Sequence, residues 1–132
     1  MLHTLIAEDE LTSRKVLNAF LAPLGTCDIA TNGREAVETF AAAMKRATPY
    51  DLVCLDITMP DMDGHAVLGA IREIERASGL GEANRAKVIM TSASGDRESI
   101  ADAFRSKCDA YIIKPIGKSA LMWKLSSLGF QV

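Results

Sequence analysis

Residues 52–56 read Leu-Val-Cys-Leu-Asp, a short apolar run that ends in a carboxylate. Four successive apolar side chains are typical of a strand buried on both faces of a parallel sheet. Four other short runs rich in apolar residues lie before and after it. The five predicted strands are Thr4–Ala7, Cys27–Ala30, Leu52–Leu55, Lys87–Met90 and Ala110–Ile113.

A stretch with apolar residues at helical spacing follows each predicted strand. Asn32 and Glu35 are spaced as a capping box at the start of the second helix, and Gly25 is expected to end the first. Strict alternation of strands and helices predicts an α/β fold, a doubly wound (βα)5 sandwich around a five-stranded parallel sheet in the order 2-1-3-4-5.

Length and composition narrow the class of protein. A chain of 132 residues predicts one domain over residues 1–132, and 48% hydrophobic residues with a net charge of −2 exclude disorder. The small negative charge gives no electrostatic reason to bind nucleic acid. The longest apolar run, residues 40–44, is far shorter than the ~20 residues of a membrane span. Three cysteines without a CxxC pair, and no secretory signal, predict a reducing, cytoplasmic compartment.

Polar residues follow four of the five predicted strands. They are Glu8, Asp9 and Glu10 after the first strand, Asp56 after the third, Thr91 and Ser92 after the fourth, and Lys114 and Pro115 after the fifth. In the order 2-1-3-4-5 the first and third strands are neighbours at the point where ligands of such sheets bind. The carboxylates of Glu8, Asp9 and Asp56 are therefore expected to converge in one pocket, with Thr91 and Lys114 on its rim.

These residue types indicate a metal-assisted reaction of phosphate. Three crowded carboxylates repel one another unless a cation lies among them, and oxygen ligands of this kind suit Mg²⁺. Asp56 stands alone at its strand end and is the expected nucleophile toward phosphorus. Lys114 and the Thr91 hydroxyl can contact phosphoryl oxygens.

Four segments together resemble the motifs of one family. Residues 55–64 read Leu-Asp-Ile-Thr-Met-Pro-Asp-Met-Asp-Gly, and residues 6–10, 90–93 and 109–116 supply an acidic, a hydroxyl-bearing and a Lys-Pro motif in the same order. The chain resembles the receiver domains of bacterial two-component response regulators, of the single-domain chemotaxis type. The resemblance implies a flavodoxin-like fold and a phosphorelay switch rather than a metabolic enzyme, with Mg²⁺-dependent autophosphorylation and autodephosphorylation.

The resemblance also implies a role for each site residue. Asp56 would accept a phosphoryl group from the histidine of a sensor histidine kinase or of a histidine phosphotransfer domain. Asp9 would bind Mg²⁺ directly, Glu8 would act through water, and Thr58 would offer its backbone carbonyl. Thr91 and Lys114 would contact the phosphoryl oxygens. Tyr111 would be the aromatic that changes rotamer on activation, and the Lys114–Pro115 bond is often cis in such domains.

Two surface predictions concern the helices. An output partner, which the sequence does not name, would bind the face formed by the fourth helix, the fifth strand and the fifth helix, near Phe104 and Trp123. Trp123 is expected to be a half-buried packing residue, with an exposed place on that partner face as the alternative. The charges at residues 72, 73, 75 and 76 are expected to form a solvated helix face with weak local pairs.

Three other interpretations of the sequence compete with a single-domain receiver. A flavin-binding module of flavodoxin type conflicts with the acidic residues 8–10, which would repel a phosphate. A phosphatase of the haloacid dehalogenase type needs a second Asp two residues after Asp56, where this chain has Thr58. A receiver excised from a larger hybrid kinase or multidomain regulator remains open. Met1 just before the first strand favours a natural N-terminus, whereas the C-terminus fits either origin.

Overall fold

The computed structural model describes every residue from Met1 to Val132, and five strands alternate with five helices. The strands are β1 (Leu2–Ala7), β2 (Gly25–Ala30), β3 (Leu52–Asp56), β4 (Lys87–Ser92) and β5 (Ala110–Ile113). The helices are α1 (Leu11–Leu21), α2 (Gly33–Lys45), α3 (Gly64–Ala77), α4 (Arg97–Arg105) and α5 (Lys118–Ser127). Short 3-10 turns at Ala22–Leu24 and Glu82–Asn84 precede β2 and β4. None of the five helices is both long and apolar enough to cross a membrane.

The order of the strands in the sheet determines where the predicted pocket lies. All four strand pairs are parallel and their order is β2-β1-β3-β4-β5, which confirms the predicted doubly wound, flavodoxin-like (βα)5 fold. β1 and β3 are hydrogen-bonded neighbours although β2 separates them in the chain, so the winding reverses at this pair. In such sheets the crevice opens outside the carboxyl ends of the two strands at the reversal. Asp56 pairs with Thr91 in the register, so the crevice extends toward β4.

Helices cover both faces of the sheet. Nineteen buried residues, among them Phe40 of α2 and Leu68 of α3, pack on one face, and ten, among them Leu17 of α1 and Leu121 of α5, pack on the other. Each large apolar side chain buried in this way contributes about 1.5–3 kcal/mol. Cys54 lies 1% exposed in the second cluster and acts as a small buried hydrophobe, as predicted. The strand ends that carry the site are therefore held by two separate cores.

Local signals in the sequence set several helix ends. Asn32 caps α2 by accepting the N–H of Glu35, whose carboxylate accepts the N–H of Thr31 in return. Asp63 and Asp96 cap α3 and α4, each through a side-chain oxygen that accepts a backbone N–H of the first turn. Gly25 ends the first helical segment, as predicted, although α1 itself stops at Leu21. The 3-10 turn Ala22–Leu24 continues from α1, and Gly25 caps that turn by donating its N–H to the Ala22 carbonyl, where β2 begins.

The prediction of a solvated face for the charges of α3 is wrong for two of the four residues. Glu75 is completely buried, and its carboxylate accepts the Ala86 N–H at 2.7 Å and the Arg72 guanidinium at 2.8 Å. The Arg72 guanidinium also pairs with Asp109 at 3.0 Å and donates to the Ala86 carbonyl at 2.9 Å. Glu73 pairs with Arg76 on the exposed side of the helix, as predicted. The Arg72–Glu75–Asp109 network thus joins α3 to the chain before β4 and β5.

Candidate functional site

Three carboxylates meet at the carboxyl ends of β1 and β3. One carboxylate oxygen each from Glu8, Asp9 and Asp56 lies within 4.8 Å of the other two. Glu8 is fully buried, Asp56 is 4% exposed, and Asp9 is exposed at the mouth. The neighbouring positions of β1 and β3 bring these residues together, which is the convergence the strand ends predict.

Lys114 follows β5 and reaches back into this cluster. Its ammonium lies 2.7 Å from Glu8 Oε1 and 3.3 Å from Asp56 Oδ2. Burial by itself lowers the pKa of Lys114, but the hydrogen bonds and charges of Glu8 and Asp56 outweigh that effect and raise the pKa above its ordinary value. Lys114 therefore carries a positive charge at neutral pH. The Lys114–Pro115 peptide bond is cis.

The charge balance of the cluster favours a divalent cation. Three carboxylates against one ammonium leave two negative charges uncompensated in a largely buried site. Burial, followed by the hydrogen bond and the charge of Glu8, raises the pKa of Asp56 to about 6, although the Thr58 N–H and Lys114 lower it in part. Burial and the neighbouring carboxylate both disfavour the ionised form of Asp56, and a cation among the three carboxylates would offset both effects. Oxygen donors at this density suit Mg²⁺, so the residues present fit that ion.

Two hydroxyl-bearing residues flank Asp56. The N–H of Thr58 donates to Asp56 Oδ1 at 3.1 Å, which fixes the turn that follows β3 beside the carboxylate. Thr91 lies next to Asp56 on β4, and its Oγ1 is buried without a hydrogen-bond partner. A buried hydroxyl that lacks a partner costs about 1–3 kcal/mol, and such groups in native proteins commonly mark a ligand site. Thr91 is thus available to a group placed on Asp56.

Tyr111 connects β5 to the loop before α4. Its ring is 6% exposed, and its hydroxyl donates to the Ser94 carbonyl at 2.6 Å. Ser94 follows Thr91 by three residues, so the phenol is tied to the same loop that leaves the site. The structure therefore shows Tyr111 buried and tied to this loop, and the rotamer change expected from the sequence stays a prediction.

The surface near α4 and α5 exposes several apolar side chains. Phe104 is 48% exposed, Ile113 47% and Trp123 68%. The prediction that Trp123 is half-buried is wrong; its ring lies in solvent with the Lys124 ammonium 5.7 Å from its centroid, which corresponds to the alternative of an exposed face. α5 buries Leu121 and Leu125 instead, and Trp123 falls between them on the outer side.

Two residues near the site were not singled out from the sequence. Arg14 of α1 donates to the backbone carbonyls of Asp9 at 2.8 Å and Glu8 at 3.3 Å. Its only signal is a basic residue one turn into the helix that follows the acidic segment. Gly64 is required because a Cβ there would lie 2.7 Å from both the Asp56 carbonyl oxygen and the Ile57 Cα. The start of α3 can approach the end of β3 this closely only without a side chain.

Comparison with known proteins agrees with this geometry. The family model of the response regulator receiver domain matches residues 4–126. The chemotaxis protein CheY of Thermotoga maritima is 33% identical over 126 residues, 94% of each chain. The complex of CheX and CheY with BeF3 and Mg from Borrelia burgdorferi matches with a TM-score of 0.82 at 30% identity, covering 98% of this chain and 90% of that one.

A second solved structure pairs a receiver domain with a phosphotransfer protein. It is the complex of the histidine phosphotransfer signalling protein Ypd1 and the receiver domain of Ssk1 from Saccharomyces cerevisiae, with a TM-score of 0.82, 26% identity and coverage of 97% and 88%. Larger proteins also contain similar segments: the chain spans 12% of the length of the probable histidine kinase 2 of Oryza sativa subsp. indica, at 29% identity over 131 residues. The chain belongs to the response regulator receiver domain family and is a receiver of two-component signalling.

Proposed function

We propose that this receiver accepts a phosphoryl group onto Asp56, in a Mg²⁺-dependent reaction, from the histidine of a sensor histidine kinase or histidine phosphotransfer domain. The observation that carries the proposal is the convergence of Glu8, Asp9 and Asp56 beside Lys114, with the Thr91 hydroxyl unpartnered next to them. The Ypd1–Ssk1 complex supports a phosphotransfer histidine as donor.

In the transfer an Asp56 carboxylate oxygen attacks phosphorus. The new P–O bond forms as the P–N bond of the phosphohistidine breaks, and the electron pair leaves with the imidazole nitrogen. The Thr58 N–H holds Asp56 Oδ1 at 3.1 Å and so orients the attacking carboxylate. A groove of about 350 Å³ opens beside Lys114, lined by residues of α1 such as Val16 and by Pro115 and Ile116, and gives a donor access to the pocket.

The acidic residues of this chain would hold the metal. Asp9 and Asp56 would bind Mg²⁺ through their carboxylates and Thr58 through its backbone carbonyl, whereas Glu8, already paired with Lys114, would act through water. The bound ion supplies charge neutralisation to the phosphoryl oxygens. Lys114 provides a second cation for those oxygens, and the Thr91 hydroxyl provides a hydrogen-bond donor.

The same residues would support autophosphorylation from small phosphodonors and slow autodephosphorylation by water. The acyl phosphate on Asp56 adds charge and acceptor oxygens that the metal-free pocket lacks. We propose that the outcome is a change of partner binding, so that the domain, over residues 1–132, is a switch and not a metabolic enzyme. The three cysteines are all unpaired, which fits a reducing cytoplasm. The alternative, a receiver segment of a hybrid kinase or multidomain regulator, uses the same site.

We propose that the switch passes from Asp56 through Thr91 and Tyr111 to the α4–β5–α5 face. The exposed apolar side chains of Phe104, Ile113 and Trp123 support this face as the place where an output partner binds. Phosphoryl oxygens on Asp56 would draw the Thr91 hydroxyl inward, and the loop that carries Ser94, the acceptor of the Tyr111 hydroxyl, would move with it.

The acceptor is tested by substitution. Asp56→Asn keeps the shape of the side chain but removes the nucleophilic charge, so labelled phosphate from a phosphorylated kinase or acetyl phosphate should not be incorporated. Asp61→Asn is the matched control, because Asp61 is exposed five residues away and should leave labelling intact. Base-labile, acid-stable labelling of the Asp56→Asn variant would assign the acceptor elsewhere.

A further inference from the structure

The segment that carries Asp9 is a short bend between β1 and α1. Glu10, the residue before α1, does not cap a backbone N–H of the helix, unlike the capping residues of α2, α3 and α4; its carboxylate accepts the Ser13 hydroxyl at 2.7 Å instead. No backbone hydrogen bond holds the Asp9 peptide group. Asp9 is also exposed. The residue expected to bind the metal directly thus lies on an exposed bend whose own peptide group has no backbone partner.

Two side chains bind the backbone of this bend: Glu8 Oε2 accepts the Glu10 N–H at 3.2 Å, and Arg14 donates to the carbonyl groups. A long side chain four positions into a helix points back toward its N-terminus, so Arg14 reaches over the first turn of α1. Its Nη1 donates to the carbonyl oxygen of Asp9 at 2.8 Å and to that of Glu8 at 3.3 Å. One guanidinium nitrogen therefore fixes two successive peptide groups.

Arg14 forms no ion pair, although three carboxylates lie nearby. Glu8 pairs with Lys114, and no carboxylate oxygen lies within 4.0 Å of the Arg14 guanidinium. A surface arginine beside an acidic cluster would ordinarily pair with a carboxylate. Here the guanidinium binds the backbone and leaves the Asp9 carboxylate free to face a cation.

We propose that Arg14 is a positioning residue of the metal site: it holds the Glu8–Asp9 backbone so that the Asp9 carboxylate is presented to Mg²⁺. The proposal rests on the proposed function, because it takes Asp9 as a direct metal ligand. A partner that orients a ligand commonly changes metal affinity by 10–100-fold when it is replaced. If Arg14 acted through its charge alone, its replacement would have the opposite effect on Mg²⁺ affinity, since removal of a cation near the site would strengthen Mg²⁺ binding.

Mg²⁺ titration of the full chain by calorimetry separates these cases. Arg14→Ala should weaken Mg²⁺ binding about tenfold. Arg14→Lys keeps the charge but lacks the planar fork, so it should weaken binding as well, by a smaller factor. Lys15→Ala is the matched control, because Lys15 is exposed on the next position of α1 and contacts neither carbonyl. The Mg²⁺ affinity of this variant should stay within about twofold of that of the unchanged chain.

Phosphorylation by acetyl phosphate gives a second readout. With a positioning role, the Mg²⁺ concentration for half-maximal rate rises in the Arg14 variants while the rate at saturating Mg²⁺ and the melting temperature change little. Equal affinities of Arg14→Ala and Lys15→Ala, or tighter binding by Arg14→Ala, would overturn the proposal. A parallel loss of melting temperature and of saturated rate in Arg14→Lys would overturn it too. If the unchanged chain bound no Mg²⁺, or Asp9→Asn bound as well as it does, the proposed function itself would fail.

Discussion

Lys114 contacts two carboxylates at once, and the two contacts differ. The ammonium is 2.7 Å from Glu8 Oε1 and 3.3 Å from Asp56 Oδ2, so the shorter ion pair is with Glu8 and not with the proposed phosphoryl acceptor. The other oxygen of Glu8 accepts the N–H of Glu10 at 3.2 Å. With both oxygens occupied, Glu8 acts as the resident counter-ion of Lys114. For this reason Glu8 is expected to act on the metal through water, whereas Asp9, adjacent in the chain, is expected to bind it directly.

A comparison of two neutral isosteres tests those roles. Asp9→Asn removes one charge from a direct ligand and should weaken Mg²⁺ binding about tenfold or more, whereas Glu8→Gln should weaken it by a few-fold only, since Glu8 would act through water. Both affinities are measured by titration calorimetry on metal-free protein. Equal affinities for the two variants would remove the distinction between direct and water-mediated roles.

The crowding of Asp56 has a consequence for stability. Burial and then the contact with Glu8 raise the pKa of Asp56 to about 6, so its ionised form costs free energy in the metal-free fold at pH 7. Asp56→Asn removes that cost and should raise the free energy of unfolding by about 3 kcal/mol at pH 7. The pKa of Asp56 is higher in the folded chain than in the unfolded chain. Below about pH 4 the carboxyl is protonated in both states and costs no stability, whereas above about pH 6 it is ionised in both states and the full cost is present.

Urea denaturation in chelator-treated buffer at pH 4 and pH 7 measures this effect. The gain of Asp56→Asn should be absent at pH 4 and present at pH 7, while Asp61→Asn should change little at either pH. A gain of equal size at both pH values would show that repulsion in the pocket is not its cause.

At the scale of elements, the Arg72–Glu75–Asp109 network joins α3 to the two edge-side strands at the end of the sheet opposite the site. Glu75 is fully buried and accepts from both Arg72 and the Ala86 N–H. Removal of one partner of a buried pair leaves the other charge uncompensated, which commonly costs 3–5 kcal/mol. This network is therefore expected to stabilise the region that leads into β4 and β5.

Two alanine variants on one helix test that expectation. Glu75→Ala should lower the free energy of unfolding by about 3 kcal/mol, whereas Glu73→Ala, which breaks only the exposed pair with Arg76, should change it by less than about 0.5 kcal/mol. Chemical denaturation gives both values under the same conditions. Similar losses for the two variants would mean that the buried network contributes no more than a surface pair.

The same helix illustrates what sequence patterns can predict. A strand such as β3 is recognisable because its first four positions, Leu52–Leu55, are all apolar, and the polar residues at the strand ends identify the site. Glu75 could not be recognised as buried, because its partner is the N–H of Ala86, eleven residues further on, and nothing in the local pattern marks that contact. Arg14 was missed for a related reason: its partners are backbone carbonyls, which have no residue-type signature.

At the scale of the whole molecule, one path leads from the pocket to the surface. Asp56 and Thr91 are paired across β3 and β4, Ser94 follows Thr91 in the chain, and the Ser94 carbonyl binds the Tyr111 hydroxyl at 2.6 Å. The steps are a pairing of neighbouring strands, a short covalent segment and a hydrogen bond. We expect a change at Asp56 to reach the α4–β5–α5 face along them, through Tyr111, which belongs to the core on one face of the sheet.

Beryllofluoride, which mimics the acyl phosphate, tests this path by NMR. With Mg²⁺ and beryllofluoride, amide shifts should appear around Asp56 and also at Tyr111 and along α4. In Tyr111→Phe, which lacks the hydroxyl that binds Ser94, the shifts around Asp56 should remain while those along α4 become smaller. Shifts confined to the pocket in the unchanged chain would contradict the proposed route.

Trp123 determines the intrinsic tryptophan fluorescence of this chain. It is the single tryptophan, and its ring lies in solvent on α5 rather than beside the acceptor. Its fluorescence should therefore emit at the long wavelengths of a hydrated indole and should be insensitive to quenching from the metal pocket. Burial of the ring under a bound protein would shift the emission to shorter wavelengths. Intrinsic fluorescence of this receiver would then report occupancy of its outer face, so that docking could be followed without a dye.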